Sequence, residues 1–187
     1  MATRFDKFTE KAQEAMLNAQ ESVQKFGHPQ MEPEHLLLAL IEQTDGIVPA
    51  IIDRAGANAA ALRGRLHAEL ERRPRVQSQM PAEGLYLGAS LRQAIESAQQ
   101  EAQRMRDEYV STEHLLLGLA ALRDSLAARV LAEAGLTQDV IYRVMQEVRG
   151  SQRVTDPHPE SKYQALDRKS TRLNSSHIQK SRMPSSA

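Results

Sequence analysis

Two Glu-His pairs, Glu34-His35 and Glu113-His114, carry the residue types best suited to metal binding or catalysis. A helical metal site needs a second ligand one turn on, as in motifs that place two His at i and i+4. Here each His is followed by Leu-Leu-Leu, and the i+4 positions are Ala39 and Gly118. Metal ligation is therefore not expected, and both His read as structural residues of a first helical turn. Glu34 and Glu113 fall in the same turns, where the positive end of the helix dipole favours a carboxylate. With no Cys in the chain, there is no thiolate chemistry, thiolate metal site or disulfide framework. No G-x-x-x-x-G-K-[ST] loop is present to cradle phosphates, and no G-x-S-x-G nucleophile motif occurs. Neither a catalytic residue nor a cofactor or metal site is expected.

The two Glu-His pairs belong to a duplication. Glu34-His35-Leu36-Leu37-Leu38 recurs as Glu113-His114-Leu115-Leu116-Leu117, an offset of 79. The same offset matches Ala55-Gly56 to Ala134-Gly135, Ala15 to Ala94, Ala19 to Ala98 and Leu40 to Leu119, without a gap. A unit of this size is too long for a solenoid repeat and suits a small helical bundle.

Apolar periodicity predicts four helices per unit. In the first unit the stripes are Ala12-Ala15-Met16-Ala19-Val23, then Leu36-Leu37-Leu40-Ile41, then Val48-Ile51-Ile52-Ala55, then Leu62-Leu66-Leu70. Gly27 with Pro29 stops the first helix, Pro33 suits the first position of the second, and Gly56 stops the third. The second unit repeats the plan with Leu91-Ala94-Ile95-Ala98-Ala102-Met105, the Ser111-capped helix from Glu113 to Leu119, Val130-Leu131-Ala134, and Val140-Ile141-Val144-Val148. The fold class is all-α, with two tandem pseudo-symmetric four-helix repeats at 5–72 and 85–149 inside a domain spanning 1–149. Residues 73–88 read as the connection, and 150–166 as a flexible polar linker.

Hydrophobic residues are 41% and charged residues 26% of the 187, a soluble globular balance. No apolar run approaches the roughly 20 residues that span a bilayer, and the N-terminus has no secretory apolar core. A cytoplasmic protein without membrane contact is the expectation. The formal charge is zero, yet residues 167–187 hold five basic residues and one acidic, leaving a net charge of −4 on the body. A basic arm would ordinarily suggest nucleic acid. Residues 167–177 and 181–187, however, read as an in-frame translation of a short-read sequencing adapter interrupted by its index. The segment is set aside on that reading, no nucleic-acid partner is expected, and the native chain is expected to continue past Leu166.

Two tandem units with an E-H-L-L-L helix start and an A-G stop resemble the Clp amino-terminal repeat domain, over residues 5–149. The stretch Glu160-Ser161-Lys162-Tyr163-Gln164-Ala165-Leu166, after Ser151-Gln152-Arg153-Val154, is similar to the linker of ClpB-type disaggregases. The protease-linked ClpC and ClpA branch, or a free-standing adaptor, are the alternatives. The resemblance implies a substrate-interaction domain tethered above a hexameric AAA+ ring. That ring would supply the ATP and Mg sites absent from this chain. Unfolded or aggregated polypeptides are the implied partners, and the isolated domain is expected to be a monomer. In the protease-linked branch, glutamates matching Glu34 and Glu113 can recognise phosphorylated arginine; Pro33 stands where that branch usually has Thr, and Thr112 matches only in the second repeat, so this role is not carried over. The resemblance also implies that Thr9, Asp107 and Glu113 rim a shallow substrate surface near Ile95, with His114 standing at the position of a second apolar residue.

Overall fold

The computed structural model describes residues 5–76, 86–159 and 162–163. After a short 3-10 turn at Phe5–Lys7 come α1 (Glu10–Phe26), α2 (Pro33–Glu42), α3 (Ile47–Arg54) and α4 (Ala59–Arg72). The second unit contributes α5 (Ala89–Arg104), α6 (Thr112–Ala120), α7 (Leu126–Glu133) and α8 (Gln138–Arg149). The all-α fold of two four-helix units is the one the periodicities predict.

Local chemistry sets the ends. The Thr9 hydroxyl caps α1 by accepting from the Ala12 N–H at 3.2 Å. Gly27 closes that helix in the left-handed region at φ +70°, where a side chain would be strained. Pro33 occupies the first turn of α2, where its missing N–H costs nothing. Ser125 and Thr137 cap α7 and α8 with their side-chain oxygens.

α2 and α6 are buried nearly all round and form the centre. The outer helices bury one stripe each against them, and all the apolar stripes meet in one continuous core. Burial of apolar area on this scale is the main stabilising term. The two units exchange partners: α3 packs on α8 and α4 on α7, while α1 reaches α6 and α2 reaches α5. Two isolated parallel bridges repeat the exchange, Phe8 to Val110 and Leu87 to Met31. Adding 79 to Phe8 and Met31 gives Leu87 and Val110, so each bridge is the pseudo-two-fold image of the other. Each unit thus completes the other, and neither buries its own face alone.

The symmetry is broken where α5 meets α6. Ala39 of α2 becomes Gly118 in α6, and a Cβ at Gly118 would lie 2.1 Å from the Ala94 carbonyl oxygen. Only glycine permits that approach.

The expected flexible linker is corrected for residues 151–159 and Tyr163. Val154 and Tyr163 are buried, at 0% and 4% exposure, and the backbone of this segment is hydrogen-bonded to the body. The reason lies in the repeat. After α4, residues 73–76 fold back, and Val76 N–H donates to Gly27 O at 2.9 Å. Residues 152–155 are their counterparts after α8 and make the matching return. The proposed adapter segment and residues 77–85 of the connection lie outside the described residues.

Candidate functional site

The Glu-His pairs nucleate two polar clusters, one per unit. In each, His is the third residue of its helix and reaches back over the helix start. His35 Nδ1 accepts from Glu32 N–H at 3.0 Å, and His114 Nδ1 accepts from Ser111 N–H at 3.0 Å. This is a capping box in which imidazole replaces the usual Glu or Gln. Both His have the structural role expected of them.

The capping bond fixes the tautomer, because a ring nitrogen that accepts leaves its proton on the other. Each Nε2–H then points at the residue seven positions earlier. In the first unit that residue is His28, with His28 Nδ1 2.8 Å from His35 Nε2. In the second it is Asp107, whose Oδ2 lies 2.9 Å from His114 Nε2. His28 and Asp107 are themselves related by the offset of 79. Their neighbours change with them: Leu70 of α4 has Arg149 as its counterpart in α8. An all-neutral pair in one unit is an ion pair in the other.

Arg149 Nη2 lies 2.6 and 2.7 Å from the two Asp107 oxygens. Burial works against the Asp107 carboxylate, but hydrogen bonds from His114, Arg149 and the Val154 N–H outweigh it and lower its pKa. Burial likewise opposes the Arg149 charge, while Glu113 and Asp107 raise its pKa. Glu113 sits 3.7 Å from Arg149 Nη1, and neither of its buried oxygens has a hydrogen-bond partner among the described residues. Its counterpart Glu34 is better satisfied, accepting from Arg73 Nη2 at 2.8 Å and from the Ala127 N–H of α7 at 3.2 Å. On the neutral side, burial, then His28, then the Arg73 guanidinium push the His35 pKa down to about 4. Burial, followed by Arg73, lowers His28 as well.

The structure brings Asp107 and Glu113 together at Arg149, and places Thr9 beside Val110, to whose carbonyl the Thr9 N–H donates at 2.9 Å. It does not make them the rim of an exposed surface. Thr9 and Glu113 are 0% exposed, the Asp107 side chain is fully buried, and Ile95 is 2% exposed within the core. Ile95 projects from the inner stripe of α5, as its place in the apolar periodicity implies, so the substrate-surface position implied by the resemblance is corrected to a packing position. Arg149 was missed because a basic residue in a last helical turn reads as an ordinary dipole partner. The signal that finds it is the repeat itself, which sets Arg149 against Leu70 exactly where Asp107 replaces His28.

What is accessible lies next to this cluster. An open groove of about 740 Å³ runs between Asp6 and Lys7 of the 3-10 turn, Gln99 and Gln103 of α5, and the loop carrying Glu108 and Tyr109. Its walls mix apolar and polar atoms, and Asp107 and Val110 contribute to its floor. Among the described residues, no cluster of three or more His, Asp or Glu is placed to hold a metal. No single helix among them is long and apolar enough to cross a membrane.

A family described as the Clp repeat (R) N-terminal domain matches residues 7–134. Chaperone protein ClpB of Rhodopirellula baltica is 38% identical over 168 residues, covering 90% of this chain and 19% of that protein. Chaperone protein ClpB of Mycobacterium leprae is 40% identical over 170 residues, covering 88% and 19%. The chain therefore spans about one fifth of the length of these relatives. The crystal structure of the Hsp104 N-terminal domain from Candida albicans superposes with a TM-score of 0.71 at 25% identity, covering 82% of this chain and 99% of that one. The N-terminal domain of the ClpV1 ATPase from E. coli gives 0.65 at 22% identity, covering 81% and 91%.

Proposed function

We propose, from the premise that this chain belongs to the Clp repeat N-terminal domain family, that it engages unfolded polypeptide for a ClpB-type disaggregase. In this reading it acts without catalysing a reaction. ATP hydrolysis belongs to AAA+ modules like those the resemblance to ClpB implies. The observation that carries the proposal is the open groove beside Tyr109. It is open, it mixes apolar and polar wall, and Asp107 of the buried cluster is among its lining residues. A module that hands varied chains to a motor must also release them. Adaptable contact along such a wall suits that task better than a deep, shape-specific pocket. Asp6 and Glu108 flank the groove and favour segments that carry basic residues among apolar ones.

The test is the affinity of the full chain for a fluorescently labelled, permanently unfolded polypeptide, measured by anisotropy. Tyr109→Ala removes the one large ring on the groove wall and weakens binding by about tenfold, the effect of losing roughly 1.4 kcal/mol of contact. Helicity stays at the parent level, since Tyr109 is only half-buried in a loop. Unchanged affinity in a folded Tyr109→Ala protein places substrate elsewhere and ends the proposal for this groove.

A further inference from the structure

The Asp107 carboxylate does more than pair with Arg149. Its Oδ1 also accepts from the Val154 N–H at 2.8 Å, beyond the end of α8. The next residue of the same loop returns the contact, with Glu108 N–H donating to Val154 O at 2.9 Å. Further on, Pro157 O accepts from the Glu10 N–H at 2.9 Å and so satisfies one of the open donors at the start of α1. His158 Nδ1 lies 2.7 Å from the Glu10 carboxylate. Arg149 joins in from its other side, its Nε donating to Gln152 O at 2.9 Å. Val154 is wholly buried, and Tyr163 closes onto the core.

We infer that residues 151–159, with Tyr163, form a docked strap that is part of the domain, and that Asp107 is the positioning residue that clamps it. Three observations point the same way. A buried carboxylate spends one hydrogen bond on a strap backbone N–H. The strap caps the first helix of the opposite unit. The segment also repeats, after α8, the return that residues 73–76 make after α4. A segment held only by chance contact would share none of these.

The strap has a consequence for reach, which rests on the proposed function. Docked, residues 151–159 add nothing to the distance between the domain and whatever follows. Released, these nine residues extend by up to roughly 30 Å at about 3.4 Å each. The clamp and the groove share one loop, since Asp107 and Glu108 hold the strap and also line the groove.

Amide hydrogen exchange on the full chain, resolved by NMR and recorded without any substrate, tests the strap separately from the binding proposal. In the parent protein the Val154, Glu108 and Glu10 amides are protected at least about tenfold over unstructured chain. In Asp107→Ala, which removes the acceptor, Val154 and Glu108 lose that protection, while Leu37 in α2 and Leu116 in α6 keep theirs. Val154→Asp, which buries a charge in the strap and leaves the clamp intact, exposes Glu10 and Glu108 in the same way. Unprotected strap amides in the parent chain overturn the inference, as does a strap that stays protected in Val154→Asp. Equal loss of protection in strap and helices of Asp107→Ala, or its failure to fold, makes Asp107 a support of the whole fold and removes its role as clamp.

Discussion

The exchange of His28–Leu70 for Asp107–Arg149 gives the two halves of the molecule different responses to acid. His28 and His35 stand as neutral rings in the fold, facing each other and the guanidinium of Arg73 just after α4, with Arg75 also near His28. Glu34, which binds Arg73, is the nearby acid. Both folded-state His pKa values are depressed, so the unfolded chain takes up protons first as the pH falls. Stability contributed by the pair is fully present above the ordinary imidazole value of 6.5 and declines through the window from 6.5 toward about 4. Asp107 is depressed too, and its contribution declines only in more acidic solution, below the usual carboxylate range. Urea midpoints measured from pH 7.5 to 4.5 should therefore fall with pH, and His28→Asn should flatten that fall. A parent midpoint constant over this range contradicts the assignment. At this scale the sequence was only partly legible. It showed His35 and His114 as structural, because their missing i+4 ligands are visible in one dimension. It did not show Arg149 as the hub, because that depends on how the end of α8 meets the loop carrying Asp107 and the start of α6 in space.

Helix starts and stops were more legible than side-chain neighbourhoods. Pro33, Ser111, Gly27, Gly56 and Gly135 act through neighbours within a few residues, and those neighbours are fixed by the sequence itself. Close approach of two helices is a different matter, since it requires knowing both faces. Gly118 reads along the chain as a weak point in a helix; in space it is what lets α6 touch the Ala94 carbonyl of α5. Gly118→Ala gains helix propensity of about 1 kcal/mol and overpacks the contact by about 1–3 kcal/mol or more. The contact is the larger effect, because the obstructing atom is backbone and has no rotamer to escape into. Chemical denaturation should show net destabilisation of Gly118→Ala, with amide shifts concentrated at Ala94 and Ala98. A stabilised variant would mean that the two helices are further apart than described.

At the scale of the molecule, the duplication explains why the boundary read after α8 fell short. The periodicity of the last helix ends near Val148, and polar residues follow, so the chain looks finished. The repeat says otherwise, because a unit includes its return segment, and the second return is residues 152–155. The same exchange of elements makes one domain out of two units, with buried polar clusters at matched positions and an accessible groove beside one of them. The central claim is that unfolded polypeptide is met at that groove. Amide shift mapping of the isotope-labelled full chain, titrated with an unfolded polypeptide bearing apolar and basic residues, tests it most directly. The account predicts perturbations that cluster at Lys7, Gln99, Gln103, Glu108 and Tyr109, with the outer faces of α3 and α7 unmoved. Perturbations centred on those outer faces, or none at saturating polypeptide, would contradict it.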